Sequence, residues 1–339
     1  MAVPRDDGFT MPPDWAPHAR CWMAWPCRAA SWGGELDEVR RSYGEVAQAI
    51  AQYEPVTMIA RPELVAMASL YVGPGITVLS LAHDDSWTRD TGPTFLTDGR
   101  GGLAGVAWRF NGWGELHPDH GQDEQMARRI LDHLGVRRYD GGIVLEGGAI
   151  ACDGEGTCLA SLPVLLDPKR NPGLTRPEAE QVLQDYLGVE RVIWLPHGLA
   201  EDETGGHLDN VACFARPGLV LALATDDRAS PDYSALAENL DVLRAATDAR
   251  GRSLEVMTLP APKPRPRHDG RRLTLSHLSC YVANGAVILP RFGDATDQVA
   301  RKVVAQAWPG RAVVEIDALE IVQGGGGIRA ITLPQPAPG

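Results

Sequence analysis

The chain has 339 residues, of which 44% are hydrophobic and 22% charged, the make-up of a soluble globular protein long enough to bury a sizeable core. Its formal net charge of -12 argues against non-specific nucleic-acid binding and favours a cationic ligand. No apolar run approaches the ~20 residues of a membrane span, and the polar start Met1–Pro17 lacks a signal-peptide pattern. Six dispersed cysteines without a C-x-x-C imply a reducing, cytoplasmic setting with neither a disulfide framework nor a zinc cluster.

Trp15, Trp22 and Trp25 follow the proline-rich entry and are expected as core anchors. Leu36, Val39, Tyr43, Val46 and Ile50 recur at helical spacing and predict an amphipathic helix ending before Pro55. Val56–Ala60 and Ile76–Leu81 read as strands. Further helices are predicted over Asp123–Leu134, stopped by Gly135, and from the capping box Thr175–Glu178 to Leu187. Two more cover Ser234–Ala249 and Asp297–Ala307. Strands are predicted at Val192–Leu195, Leu219–Leu223, Leu254–Leu259, Val287–Leu289 and Ala312–Ile316. Five helices, mostly about 50–60 residues apart among short strands, describe repeated mixed α/β modules in either an open sheet or a closed ring. Ala261–Arg272, rich in proline and arginine, reads as an exposed loop and not a linker, so a single domain over 1–339 is expected.

Four segments carry groups suited to chemistry. Asp84–Pro93 follows a strand and holds three carboxylates, Arg89 and Trp87, either as a functional loop or as a surface turn with an internal Arg–Asp pair. Glu146 is set against Gly147 and Gly148, a functional carboxylate or a hairpin turn. In Glu203–Asn210 an extended backbone would put His207 and Asp209 on one face about 7 Å apart, as a metal site, an acid–base pair or a structural hydrogen bond. Ile321–Thr332 reads as a last strand and loop, whose glycines Gly324–Gly327 fit a backbone passing close to something or taking positive φ.

These segments, in order and spacing, resemble the agmatine deiminases, a family that includes a bacterial type of peptidylarginine deiminase. Further matching stretches are Met11–His18, Trp108–Gly114, Leu145–Pro172, Ile193–Leu199 and Tyr281–Pro290, so the resemblance covers nearly the whole chain. It implies the pentein fold: α/β, five ββαβ-type modules around a pseudo-fivefold axis with the active site in a central funnel. It also implies that agmatine and water become N-carbamoylputrescine and ammonia without a cofactor or metal. By resemblance Asp90 and Asp209 hold the guanidinium, for which paired carboxylates are apt, and Trp87 offers an aromatic face. Glu203 and Glu146 line the substrate site, and His207 is the acid–base catalyst. The expected partner is a small cationic guanidine, with no nucleic acid and no membrane; a homo-oligomer is compatible with the sequence.

The chain departs from the family pattern where His and the nucleophilic Cys follow the glycines: here stand Arg329 and Ala330. Without the thiol, the covalent first step cannot occur. One explanation is a Cys-to-Ala replacement that holds substrate unreacted, favoured because Asp90, His207 and Asp209 are all present; the other is a natural guanidine-binding pseudoenzyme. Strand alternation would turn Arg329 away from the substrate, leaving Glu203 to favour the ammonium of agmatine. Arginine, peptidyl arginine or a specialised guanidine is the alternative substrate. A metal-dependent hydrolase using His207, Asp209, Asp90 and Glu146 is the reading from another class.

Overall fold

The computed structural model describes residues 2–34 and 36–338. One motif recurs: two antiparallel strands, a helix, and a third strand parallel to the second. It first runs through β1 (His18–Ala24), α1 (Asp37–Ala51) and β2 (Val56–Ala60), extended by α2 (Val65–Val72) and β3 (Thr77–Ser80). The second module is β4 (Thr94–Thr97), β5 (Leu103–Arg109), α3 (Met126–Leu134) and β6 (Arg137–Val144). The third is β7 (Ile150–Cys152), β8 (Thr157–Ser161), α4 (Arg176–Leu187) and β9 (Arg191–Leu195). The fourth is β10 (Ala212–Arg216), β11 (Leu219–Ala224), α5 (Tyr233–Ala245) and β12 (Glu255–Pro260). The fifth is β13 (Tyr281–Ala283), β14 (Ala286–Arg291), α6 (Thr296–Ala307) and β15 (Ala312–Asp317).

The first sheet lacks an antiparallel strand of its own, and the chain's end supplies it. β16 (Leu333–Pro336) pairs antiparallel with β1, so the sheet order is β16-β1-β2-β3. Trp22, fully buried, donates its indole N–H to Gln335 Oε1 at 2.9 Å and fastens this closure. Trp25 is also fully buried, as expected of a core anchor.

The predicted helices and third strands are present. Gly135 and Gly188 stop α3 and α4 in the left-handed region, and the Thr175–Glu178 capping box opens α4. The segment expected as a last strand differs. Leu319–Val322 is a helical turn, Ile328–Ile331 is a turn, and pairing begins only at Leu333. The apolar residues Ile328 and Ile331 are buried there through the turn geometry, not through strand alternation.

Each module hands the chain to the next through a connection from its last strand to the next module's first strand. Asp90 lies between β3 and β4, Glu146 between β6 and β7, and His207 and Asp209 between β9 and β10. Ser279 lies between β12 and β13, and Ala330 between β15 and β16. The chemistry-bearing residues thus occupy equivalent places in successive modules, which is why segments far apart in sequence meet.

Candidate active site

Asp90 sits in the helical turn Thr88–Thr91, just after Trp87, and is buried. Its Oδ1 accepts the Gly148 N–H at 2.8 Å and its Oδ2 accepts the indole N–H of Trp113 at 2.9 Å. Trp113 holds φ 58°, a left-handed backbone that aims its ring at this carboxylate. The expected alternative of an internal Arg–Asp pair in this loop is not what forms: Arg89 is buried and reaches Asp14, Nη1 to Oδ1 at 3.3 Å.

Glu146 is completely buried and serves two cations. It accepts Nε and Nη2 of Arg170 at 2.7 and 3.0 Å and faces His207 Nε2 at 2.7 Å. Arg170 also donates to Thr204 O at 2.7 Å and to Asp167 at 2.8 Å, tying Glu146 to the His207 loop. The stretch after Glu146 is a short 3-10 turn at Gly147–Ala149, not a hairpin. A Cβ on Gly148 would lie 2.5 Å from His207 Nδ1 and 3.1 Å from Asp90 Oδ1, so the imidazole and carboxylate pack directly on this backbone.

His207 and Asp209 do not share an extended strand. Leu208–Asn210 is a 3-10 turn, with His207 at its start. With Nε2 on Glu146, His207 turns Nδ1 toward Asp90, 3.8 Å from Oδ2. Burial alone would lower the imidazole pKa, but Asp90, Glu146 and Asp209 outweigh it and push His207 up to about 10. Burial raises Asp209 to about 7 against the pull of His207, and raises Asp90 as well. Burial works on Glu146 too, yet the His207 hydrogen bond and the Arg170 charge hold its carboxyl below the usual range. At neutral pH the cluster is therefore a cationic imidazole among carboxylates.

Of this cluster Asp90 borders a narrow cavity, which is lined also by Trp87, Trp113, His117, Glu203 and Ala330. Trp87 stacks on Trp32, ring centroids 5.4 Å apart at 18°. Ala330 is half-buried and opens to the cavity; a Cβ on Gly326 would lie 2.9 Å from its Cβ and 2.7 Å from the Trp87 ring. Gly325, at φ 103°, passes against Glu203 Oε1 in the same way. The glycine run is thus a close approach of backbone to side chains.

Three expectations about the rim are corrected. Glu203 is not a free carboxylate: its Oε2 accepts Arg267 Nη1 at 2.8 Å and Arg271 Nη1 at 2.9 Å. The Ala261–Arg272 loop is accordingly not simply exposed, because Arg267 anchors it on Glu203 and on Ser31 O. Arg329, expected on a strand, is instead buried in a turn; its Nη1 ion-pairs with Asp14, and its Nε lies 3.7 Å from Asp209 Oδ2. Sequence reasoning missed Arg170, Trp113, Asp14 and Arg267, although Asp14, Trp113 and Arg170 lie in stretches that matched the family.

The family model for Porphyromonas-type peptidyl-arginine deiminase matches residues 10–336. The chain belongs to that family. This deiminase family member is 43% identical over 361 residues to the agmatine deiminase of Stutzerimonas stutzeri, covering 99% of this chain and 98% of the relative. It is 41% identical over 359 residues to that of Ectopseudomonas mendocina, with the same coverage. A solved structure of the agmatine deiminase of Enterococcus faecalis superposes with a TM-score of 0.97 at 35% identity, covering 100% of this chain and 99% of the other. The five small sheets are those of the pentein propeller, as the resemblance implied. Among the described residues no helix is long and apolar enough to cross a membrane.

Proposed function

We propose that the cavity is the guanidinium site of an agmatine deiminase, in which this chain holds the substrate without converting it. The observation that carries the reading is a buried cluster of carboxylates and a cationic imidazole, Asp90, Asp209, Glu146 and His207, which reaches through Asp90 the cavity onto which Ala330 opens. A planar cation with five donors suits carboxylates that keep acceptor capacity. Asp90 and Asp209 take the guanidinium, and Trp87 flanks the alkyl chain. Glu146, saturated by Arg170 and His207, is a positioning residue that fixes the imidazole with Nδ1 toward Asp90. The same saturation speaks against Glu146 and His207 as metal ligands.

With a cysteine at position 330 the reaction would proceed in two steps. The thiolate adds to the guanidinium carbon while His207 gives its proton to the departing nitrogen, which leaves as ammonia. His207 then takes a proton from water, whose oxygen attacks the same carbon, breaking the C–S bond and releasing N-carbamoylputrescine. In this chain Ala330 offers no nucleophile, and no described cysteine lines the cavity. Burial pushes the Cys27 and Cys280 thiols up to about 12 and raises Cys21 and Cys213 too, so these remain protonated and inert.

Calorimetry tests the site. Agmatine binds the chain as written, and Asp90→Ala or Asp209→Ala weakens it by about 2–5 kcal/mol, the cost of breaking a desolvated charge pair. Equal affinity in all three proteins would remove these aspartates from the clamp. Arginine is a second ligand for one reason: Arg267 and Arg271 neutralise Glu203, the carboxylate that would favour a distal ammonium and repel a carboxylate. The reading therefore gives agmatine less than a tenfold preference over arginine.

A further inference from the structure

The residue beside position 330 contributes something the guanidinium-site reading leaves unused. Arg329 is 4% exposed, with Nη1 on Asp14 and an Nε that finds no hydrogen-bond partner among the described residues. That Nε lies 3.7 Å from Asp209 Oδ2. The backbone fixes this placement: Arg329 N donates to Ser279 O at 3.0 Å, and Ala330 O accepts Arg89 N at 3.1 Å. Arg89 completes the group, reaching Asp14 Oδ1 at 3.3 Å. Two guanidiniums and two carboxylates thus stand together beside the cavity, and one of the carboxylates is half of the proposed clamp.

Resting on the guanidinium-site reading, we propose that Arg329 is a resident counter-cation of Asp209 that opposes binding of a guanidinium substrate, so that residue 329 sets the affinity of the site. A buried carboxylate attracts a ligand cation in proportion to the charge left uncompensated around it. Arg329 compensates Asp209 from the side away from the cavity before any ligand arrives, and its charge repels the ligand's across the shared carboxylate. The charge is permanent under ordinary conditions: burial lowers the guanidinium only to about 10, and Asp14 favours the charged form. Asp14 holds Arg329 from the other direction and so limits how far it can settle on Asp209. With a side chain 19% exposed, Asp14 faces a separate cleft lined by Pro13, Arg89 and Pro334.

The two contacts of Arg329 give a test with opposite signs. Agmatine binding is measured by calorimetry for the chain, Arg329→Gln, Arg329→Lys and Asp14→Asn, each checked for cooperative thermal unfolding. Arg329→Gln should bind about tenfold more tightly, roughly 1.4 kcal/mol, while Arg329→Lys, which keeps the charge, stays within about threefold of the parent. Asp14→Asn should bind several-fold more weakly, because Arg329 then leans wholly on Asp209. A merely structural Arg329 would weaken binding in every variant without regard to charge. Binding by Arg329→Gln that is equal to or weaker than the parent's, or absent, overturns the proposal. If that variant does not fold, unchanged or tighter binding by Asp14→Asn overturns it. Asp90→Ala, titrated alongside, reports on the site itself: parent-like affinity there overturns the clamp reading, whatever the residue 329 variants do.

Discussion

Replacing Glu146 by Gln tests how the imidazole is charged and held. The carboxylate is fully buried, receives two N–H groups of Arg170 at 2.7 and 3.0 Å, and faces His207 Nε2 at 2.7 Å. Glutamine keeps the shape but presents an NH2 to one of those donors and leaves Arg170 partly uncompensated. Breaking one partner of a buried ion pair costs about 3–5 kcal/mol. Burial opposes the charged imidazole, and the hydrogen bond and charge of Glu146 are among the effects that raise His207 to about 10. Relative to an ordinary histidine near 6.5, that rise is a stabilisation of ~5 kcal/mol at 1.36 kcal/mol per unit. Because the folded value is the higher one, this stabilisation is complete below about 6.5 and disappears as pH rises through 10. The deficit of Glu146→Gln should therefore be full between about pH 5 and 6.5 and shrink toward pH 10. NMR titration of the His207 ring and urea unfolding across that range measure both quantities. A His207 pKa within about half a unit of the parent, or a stability loss below ~1 kcal/mol, would refute the proposed coupling.

Gly326→Ala places a methyl 2.7 Å from the Trp87 ring and 2.9 Å from Ala330 Cβ, so agmatine binding by calorimetry should fall at least tenfold, with a lowered melting temperature from the overpacking. Agmatine affinity should rise with pH through about 7, where Asp209 ionises, and fall about tenfold per unit below it; a flat profile from pH 5 to 8 would contradict the assigned role of Asp209. Deleting Leu333–Pro338 removes the outer strand of the first sheet and the Trp22–Gln335 bond, and circular dichroism should show loss of cooperative unfolding.

The helices were legible because their apolar faces repeat at helical spacing, as Val39, Tyr43, Val46 and Ile50 do in α1. The third strands β2, β9, β12 and β15 were legible as short apolar runs, whereas β6, which opens on two arginines and contains two glycines, was not. None of the opening strands β1, β4, β7, β10 and β13 was legible; β7 and β13 are only three buried residues each, too few to carry a period. Gly324–Gly327 announced a close approach, but the turn at Ile328–Ile331 looked like a strand because Ile328 and Ile331 are apolar and flank Arg329 and Ala330. The partners of the site residues were hidden for a plainer reason. Asp14 and Arg329 are 315 residues apart, and Glu203 and Arg267 are 64 apart, so only the succession of connections between modules brings them together. A carboxylate counted as free in sequence can thus prove to be neutralised in the fold.

The central claim is that the cavity beside Ala330 is a deiminase site complete except for its nucleophile. The most direct measurement is ammonia release from agmatine by Ala330→Cys, alone and combined with Arg329→Gln, with the chain as written as the blank. The account predicts release of ammonia and formation of N-carbamoylputrescine by the cysteine variants and none by the blank. Folded cysteine variants that bind agmatine yet release no ammonia from agmatine, arginine or a peptidyl arginine would contradict it.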